Sequence, residues 1–336
     1  MNSYDVIIVG GGPTGLACAI EAKRHGLSHL VLEKGCVVNS ILHYPVNMVF
    51  FTTPELLEIG DIPMVSQREK PTRQEALKYY RLAAQRFQLE IHQYELVEKI
   101  SGSDGRFEIF TSTAHSGPGC YRAKKVILAT GYYDIPNLLG VPGEDLPKVS
   151  HYYTEAHPYF NCDVAVIGGA NSAAETALDL YRNGARVTLI HREAALSHRI
   201  KYWVRPDIEN RIKHGEIKAL LETEVREIRP DSIVVSPSGA NAGGIGVEIL
   251  PNDFVFALIG YRPDGEFLQS AGVRLESNRL RPDCDPKTLE SNVPGLYLAG
   301  VIIAGLDSHE IFIENGRFHG KVVVADIAKK LGRSEE

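Results

Sequence analysis

Two stretches of this chain repeat one local plan, and that repetition limits the fold more than any other feature. In the first, the apolar, β-branched run Tyr4 to Val9 ends at Gly10, and Pro13 to His25 then shows helical spacing. Leu30 to Leu32 supplies a further strand. The second stretch starts at Asp163, where DVAVIGGANSAAETALDLYRNGARVTLIHRE follows the same order of strand, glycine turn, helix and strand. Strands that alternate with helices specify a parallel doubly wound sheet, with ligands at the carboxyl ends of the strands. The expected fold class is therefore α/β, with two Rossmann-like, three-layer nucleotide-binding domains. A length of 336 residues accommodates both. Pro136 and the VPGED turn at 141 to 145 read as a linker, so the second domain (135–262) is expected as an insertion that divides the first (1–134 and 263–336).

Each turn carries its own chemistry. Gly10, Gly12, Pro13, Thr14 and Gly15 fit G-x-G-x-x-G, which sets backbone N–H groups and a helix N-terminus against a pyrophosphate. Glu33 ends the next strand, where a carboxylate accepts ribose hydroxyls. The second copy reads Gly168, Gly169, Ala170, Asn171, Ser172, Ala173. At the place of Glu33 it has His191 and Arg192, with Arg199 and Lys201 shortly after. Cations there welcome a 2′-phosphate and deny the ribose its carboxylate partner, which selects NADP over NAD. Two nucleotide folds tuned to different riboses imply hydride relay between NADPH and a flavin, FAD.

Composition narrows the partners. A net charge of −6 gives no basic footprint for nucleic acid. The longest apolar run, Leu296 to Leu306, falls short of the ~18 residues a membrane span needs, so a cytoplasmic protein is expected. The five cysteines, Cys18, Cys36, Cys120, Cys162 and Cys284, form no C-x-x-C pair, which argues against a disulfide framework or a metal site. Elsewhere, Pro71 to Phe87 is expected as a helix with Pro71 in its first turn, Phe107 to Thr111 and Lys125 to Ala129 as strands, and Gly295 to Gly300 as a last strand leading into the C-terminal helix.

With these features the chain resembles the pyridine-nucleotide disulfide oxidoreductase superfamily in its thioredoxin-reductase-like branch, through ATG at 129–131, the short inserted domain and the terminal GLYLAG. Within that branch it is most similar to the bacillithiol disulfide reductase (YpdA-type) family. The likeness is carried by EKG at 33–35, Phe50-Phe51, IGDIP at 59–63, ATGYY at 129–133, LPKVSHYYTEAHPYF at 146–160, GGANSA at 168–173, FALIGYRPDGEFL at 256–268, AGVIIAG at 299–305 and IFIENGRFHG at 311–320.

The resemblance implies FAD and NADPH, reduction of a low-molecular-weight disulfide, and a homodimer or homotetramer. Matched position by position, it adds Lys34, Thr52, Thr53, Ala129, Thr130, Gly131, Gly300, Val301, Glu310 and Ile311 to the FAD side, and Ile259 and Gly260 to the NADPH side. It places Glu310 and Ile311 at the N-terminus of the closing helix. The chain departs from its relatives at two points. Where thioredoxin reductases carry C-x-x-C, it reads His151-Tyr152-Tyr153-Thr154, and Thr14 stands where members of the closer family often have cysteine. A hydroxyl cannot form a mixed disulfide. Candidate catalytic residues are thus Thr14, His151 and Glu310, with His157 beside His151 as another proton donor. A ferredoxin- or flavodoxin-NADP reductase, which passes electrons to a redox protein, is the alternative. It ranks second because the sequence ends at GRSEE without an aromatic extension. A flavin-bearing sensor is the non-enzymatic reading.

Overall fold

The computed structural model describes residues 2–114, 117–239, 246–307 and 309–333. It opens with β1 (Ser3–Val9), α1 (Pro13–Arg24), β2 (His29–Glu33), α2 (Asn39–Leu42) and α3 (Arg73–Arg86). Next come β3 (Ile91–Gln93), β4 (Glu95–Ser103), β5 (Arg106–Thr113), β6 (Gly117–Leu128) and the short β7 (Ile135–Pro136) and β8 (Val149–Ser150). The second strand–turn–helix plan spans β9 (Asp163–Ile167), α4 (Asn171–Arg182) and β10 (Arg186–Ile190), and α5 (Arg205–Lys213) and β11 (Lys218–Leu220) follow. After β12 (Thr223–Ile228), β13 (Ser232–Pro237), β14 (Glu248–Pro251), β15 (Phe254–Ala257) and β16 (Tyr261–Arg262), the chain closes with α6 (Gly265–Ser270), β17 (Leu296–Leu298), α7 (Ile313–Gly316) and α8 (His319–Lys330). It divides into two compact units: Met1–His43, Asn47–Ile135 and Tyr261–Glu336 form one, and Tyr44–Val46 with Pro136–Gly260 form the other. The α/β class with paired Rossmann-like layers is as the sequence predicts.

In the first unit the strands run β3-β2-β1-β6-β5-β4, and β17 also pairs with β6. The long β6 serves two neighbours on one edge: its first half pairs antiparallel with β5, ending at Ala123↔Phe107, and its last residues pair parallel with β17, starting at Val126↔Leu296. β1 is a continuous apolar run because both its faces are covered. Val6 and Ile8 pack with Cys18, Ala22, Val323 and Ile327 of α1 and α8, while Ile7 and Val9 pack with Val97, Ile100 and Phe107 of the antiparallel strands. Each such fully buried side chain contributes about 1.5–3 kcal/mol.

The second unit repeats this logic with a parallel sheet, β11-β10-β9-β15-β8, and an antiparallel one, β12-β13-β14. Val164 and Val166 face Ala173, Ala177 and Leu180 of α4, and Ala165 and Ile167 face Val225, Ile233 and Val235.

Two expected boundaries move. α3 starts at Arg73, because Thr72 is its N-cap: the Thr72 hydroxyl accepts from the Glu75 N–H and the Glu75 carboxylate accepts from the Thr72 N–H, so Pro71 lies outside the helix. Those bonds, with another from the Gln67 N–H, hold the Glu75 carboxyl down to about 2. A carboxyl lowered on folding stabilises the native state above its ordinary value of 4.5, and the stabilisation is lost as pH falls from there toward 2. Glu75→Ala is therefore expected to cost about 1 kcal/mol in urea unfolding at neutral pH, and the difference from the parent should shrink over that acid range.

The last strand does not feed directly into the closing helix either. Gly300 at φ +83° and Gly305 at φ +59° bracket a 3₁₀ turn, Val301–Ala304, and α7 begins only at Ile313. Glu310 and Ile311 consequently precede the helix instead of opening it, and the acid in its first turn is Glu314.

Candidate functional site

The first glycine turn is built so that each glycine has a distinct reason to be one. Gly10 adopts φ +109°, and a Cβ there would lie 2.4 Å from the Ala129 carbonyl oxygen. At Gly15 a Cβ would lie 1.9 Å from the carbonyl oxygen of Gly10, so α1 can approach β1 only without one. Gly12 is different, since a Cβ there meets nothing within 4 Å. It caps α1 with no side-chain bond, Pro13 takes the first helical position and Thr14 the next. Open space in front of an uncapped helix N-terminus fits a pyrophosphate.

Glu33 ends β2 and is buried on Gly11. One of its carboxylate oxygens accepts from the Gly11 N–H and the other from the Gly35 N–H, both at 2.7 Å. Burial pushes the carboxyl up and these two bonds oppose the shift. The pair of bonds fixes the carboxylate's orientation at the strand end, with lone pairs remaining for a ribose. Lys34 beside it pairs with Asp134 at 3.0 Å.

Ala129, Thr130 and Gly131 leave β6 alongside this turn: the Ala129 N–H donates to the Val9 carbonyl at 2.8 Å, and Gly131 turns at φ +73°. The turn after β17 closes on the same place. A Cβ on Gly300 would lie 3.1 Å from the Thr14 hydroxyl oxygen, and one on Gly316 would lie 3.2 Å from it. Thr14 is thus wedged between two glycines, with Val301 opening the adjacent 3₁₀ turn and Ile311 packed on Gly316. Thr52 is buried, and Thr53 caps the 3₁₀ turn Pro54–Leu56. Glu310, in contrast, pairs at 2.6 Å with Arg281, which also holds Asp307 at 3.0 Å.

Sequence reasoning missed two groups here. Glu314 is half-buried, its carboxyl raised by burial and hydrogen-bonded to Thr52. His319, at the start of α8, accepts the Gly300 N–H on Nδ1 at 3.0 Å. Both lie in the segment IFIENGRFHG at 311–320, where neither was singled out. Their signal is a contact across more than a dozen residues, which spacing does not reveal.

The second turn has the same plan with different chemistry. Gly168 at φ +141° would place a Cβ 2.5 Å from the Leu258 carbonyl oxygen. Ala170 is the N-cap of α4, again without a side-chain bond, and exposed Ser172 and buried Ala173 lie in its first turn. Where Glu33 covers Gly11, the His191 ring covers Gly169, with ring atoms 2.3–2.5 Å from where a Cβ would stand. This burial holds the imidazole below its ordinary range.

The basic loop beyond β10 is laced to the turn. The Asn171 amide donates to the Arg199 carbonyl at 3.1 Å and accepts from the Lys201 N–H at 2.9 Å, and the Ser197 N–H donates to the Gly169 carbonyl at 2.8 Å. Lys201 pairs with Glu175 at 2.6 Å, and the largely exposed Arg192 contacts Glu193 at 3.3 Å. Ile259 and Gly260 follow β15, with Gly260 at φ +93° and the Ile259 carbonyl accepting from Asn137.

His151 directly follows β8 and contacts the end of β15. Its Nδ1 lies 3.3 Å from the Ala257 carbonyl oxygen and its Nε2 3.6 Å from Glu144, which itself accepts from the Leu139 and Gly140 N–H groups. His157 opens the 3₁₀ turn His157–Tyr159. Cys18 is fully buried in α1, which pushes its thiol up to about 12, and burial raises Cys36 as well. Among the described residues no cluster suits a metal ion, and no helix is long and apolar enough to cross a membrane.

Comparison with known proteins agrees with this architecture. The sequence profile of the family described as pyridine nucleotide-disulphide oxidoreductase matches residues 7–300. The chain is 45% identical over 332 residues to bacilliredoxin reductase Bdr of Bacillus subtilis, spanning 98% of this chain and 99% of that protein. Among solved structures it is similar to bacillithiol disulfide reductase Bdr (YpdA) of Bacillus cereus, with 42% identity, TM-score 0.94 and coverage of 98% and 100% of the two chains. The Staphylococcus aureus enzyme of the same name gives 41% identity, TM-score 0.92 and coverage of 98% and 99%. With both turns intact, a family profile over most of its length and relatives matched from end to end, the chain belongs to the pyridine nucleotide-disulphide oxidoreductase family and is an oxidoreductase that uses a flavin and a pyridine nucleotide.

Proposed function

We propose that the protein is an FAD-dependent NADPH oxidoreductase that reduces the disulfide of a low-molecular-weight thiol of the bacillithiol type. The observation that carries this reading is the chemical contrast between two turns of one design: a fixed carboxylate, Glu33, lies on Gly11 in the first, and an imidazole, His191, followed by Arg192, lies on Gly169 in the second. A carboxylate accepts ribose hydroxyls, whereas cations favour a 2′-phosphate. The first turn would then hold FAD, with Gly12 leaving room for the pyrophosphate, and the second NADPH. Bound flavin supplies the two-electron exchange between nicotinamide and acceptor. The substrate class follows the named relatives above, which are bacilliredoxin and bacillithiol disulfide reductases.

The residues of the chain divide the remaining work. Glu33 and the N–H groups of α1 bind and orient one nucleotide, and the loop tied down by Asn171 presents Arg192 and Arg199 to the other. Thr14 offers a hydroxyl in place of a thiol, and neither Cys18 nor Cys36 is in an environment that favours a thiolate. A relay through a protein mixed disulfide is therefore not built into this turn. The overall reaction consumes NADPH, a proton and one disulfide, and yields NADP⁺ and two thiols.

The test is anaerobic stopped-flow reduction of the yellow protein by NADPH and by NADH, followed by mixing with bacillithiol disulfide. NADPH-selective bleaching with disulfide-driven recovery is the expected result. Bleaching without recovery would overturn the substrate class and favour a redox-protein acceptor such as a ferredoxin.

A further inference from the structure

The turn that follows the last strand of the first unit is held by a group that the proposed reaction does not use. Gly300 stands at φ +83°, a region that side-chain-bearing residues rarely adopt, and its Cα face is pressed on Thr14. Its N–H donates to Nδ1 of His319 at 3.0 Å. A ring nitrogen that accepts carries no proton, so the imidazole is neutral, with its one hydrogen on Nε2.

The ring has little freedom to give way. Gly320, the next residue, lies so close to α1 that a Cβ there would stand 2.8 Å from the Ala17 carbonyl carbon and 2.9 Å from the Cys18 nitrogen. α8 is thereby docked backbone to backbone on the helix that carries Thr14. Gly316, the last residue of α7, packs on the same hydroxyl. Thr14, Gly300, Gly316 and His319 form one connected unit in which the histidine is the only titratable member.

We propose that His319 is a positioning residue for the flavin: its neutral imidazole, through the Gly300 N–H, locks the turn after the last strand against Thr14 and so fixes one wall of the cofactor site. Protonation of Nδ1 would set a donor against the Gly300 N–H donor. The bond is then lost and the turn is released from Thr14. The elements that pack with α8 carry the titratable and charged groups Cys18, Glu21, Lys23 and Arg24 of α1, Tyr297 of β17, and Glu314 and Arg317 at α7, and α8 itself carries Lys321, Asp326, Lys329 and Lys330. None of them shifts the ring, which burial alone holds below its ordinary value of 6.5. The neutral form therefore prevails at neutral pH, and the lock opens only in acid.

The inference rests on FAD occupying the first unit, and its test separates the two ideas. FAD affinity is measured from pH 8 to pH 5 by recovery of flavin fluorescence on release from the holoprotein, for the parent, for His319→Asn and for His319→Phe. Asparagine keeps a non-titrating acceptor, whereas phenylalanine fills the space without one. For the parent, FAD should weaken as pH falls below the ring's pKa, approaching about tenfold per pH unit. His319→Asn should remove that one-proton dependence while keeping most of the affinity at neutral pH. His319→Phe should bind roughly tenfold more weakly at every pH, the loss of one buried hydrogen bond.

Thermal melting of each apoprotein shows whether a variant folds, and the conservative Asn variant serves if Phe does not. An unchanged pH slope in His319→Asn overturns the positioning role, as does undiminished affinity in a folded His319→Phe. A parent protein that retains no FAD at neutral pH overturns the proposed function instead.

Discussion

Gly15→Ala should leave a protein that neither retains flavin nor keeps its parent stability. The added Cβ would stand 1.9 Å from the Gly10 carbonyl oxygen, a backbone atom that cannot rotate away. Gly10 is itself held: its N–H donates to the Leu32 carbonyl at 2.8 Å, and it is pressed on the Ala129 carbonyl on its other side. Relief has to come from moving α1 off β1, which would open the contacts of Cys18 and Ala22 with Val6 and Ile8. Overpacking a close-packed core typically costs 1–3 kcal/mol, and a displaced helix puts this case at roughly 3 kcal/mol or more. Gly12→Ala is the control, because a methyl there meets nothing. It should melt like the parent and lose only flavin affinity. Urea unfolding together with the flavin content of the purified proteins checks both outcomes, and equal stability of the two variants would refute the packing argument.

The other large effect concerns the choice of nicotinamide cofactor. Arg192→Ala and Arg199→Ala should each raise the KM for NADPH by about 10–100-fold, since a charge-assisted hydrogen bond contributes about 1.5–3 kcal/mol. Little change is expected in kcat or in the KM for NADH, because the proposed interaction is with a phosphate remote from the hydride and absent from NADH. His191→Glu combined with Arg192→Ala goes further: it places on Gly169 the carboxylate that Glu33 places on Gly11, and should turn the preference toward NADH. Steady-state kcat/KM for both cofactors measures the ratio. A pair of arginine variants that lose NADPH and NADH equally would mean that the loop matters for folding of the turn, through Asn171 and Ser197, and not for the phosphate.

Much of this was legible in the sequence because it is local. The alternation of β-branched strands with helices, the glycines at fixed offsets, and the acid or base at the end of the second strand all lie within about thirty residues of one another, and short-range sterics dictate their meaning. Less local features were not legible. The antiparallel strands β4, β12 and β14 have no motif of their own, and they became strands because the far faces of β1 and β9 needed cover. The start of α3 was misplaced by reading Pro71 as a first-turn residue, when the Thr72–Glu75 capping box sets the boundary. Glu310 is held in an ion pair with Arg281, nearly thirty residues away in sequence.

The sequence by itself determined the class of fold, the two glycine turns, and the acid at the end of the following strand in one and the basic residues there in the other. Each follows from steric or electrostatic rules that act between near neighbours. Only the tertiary structure decided what surrounds Thr14. Gly300, Gly316 and His319 come from the far end of the chain, and they reach Thr14 because β17 adds to the edge of β6 and α8 packs on α1. Contacts made by the closing of a sheet depend on the whole core, and no local pattern encodes them.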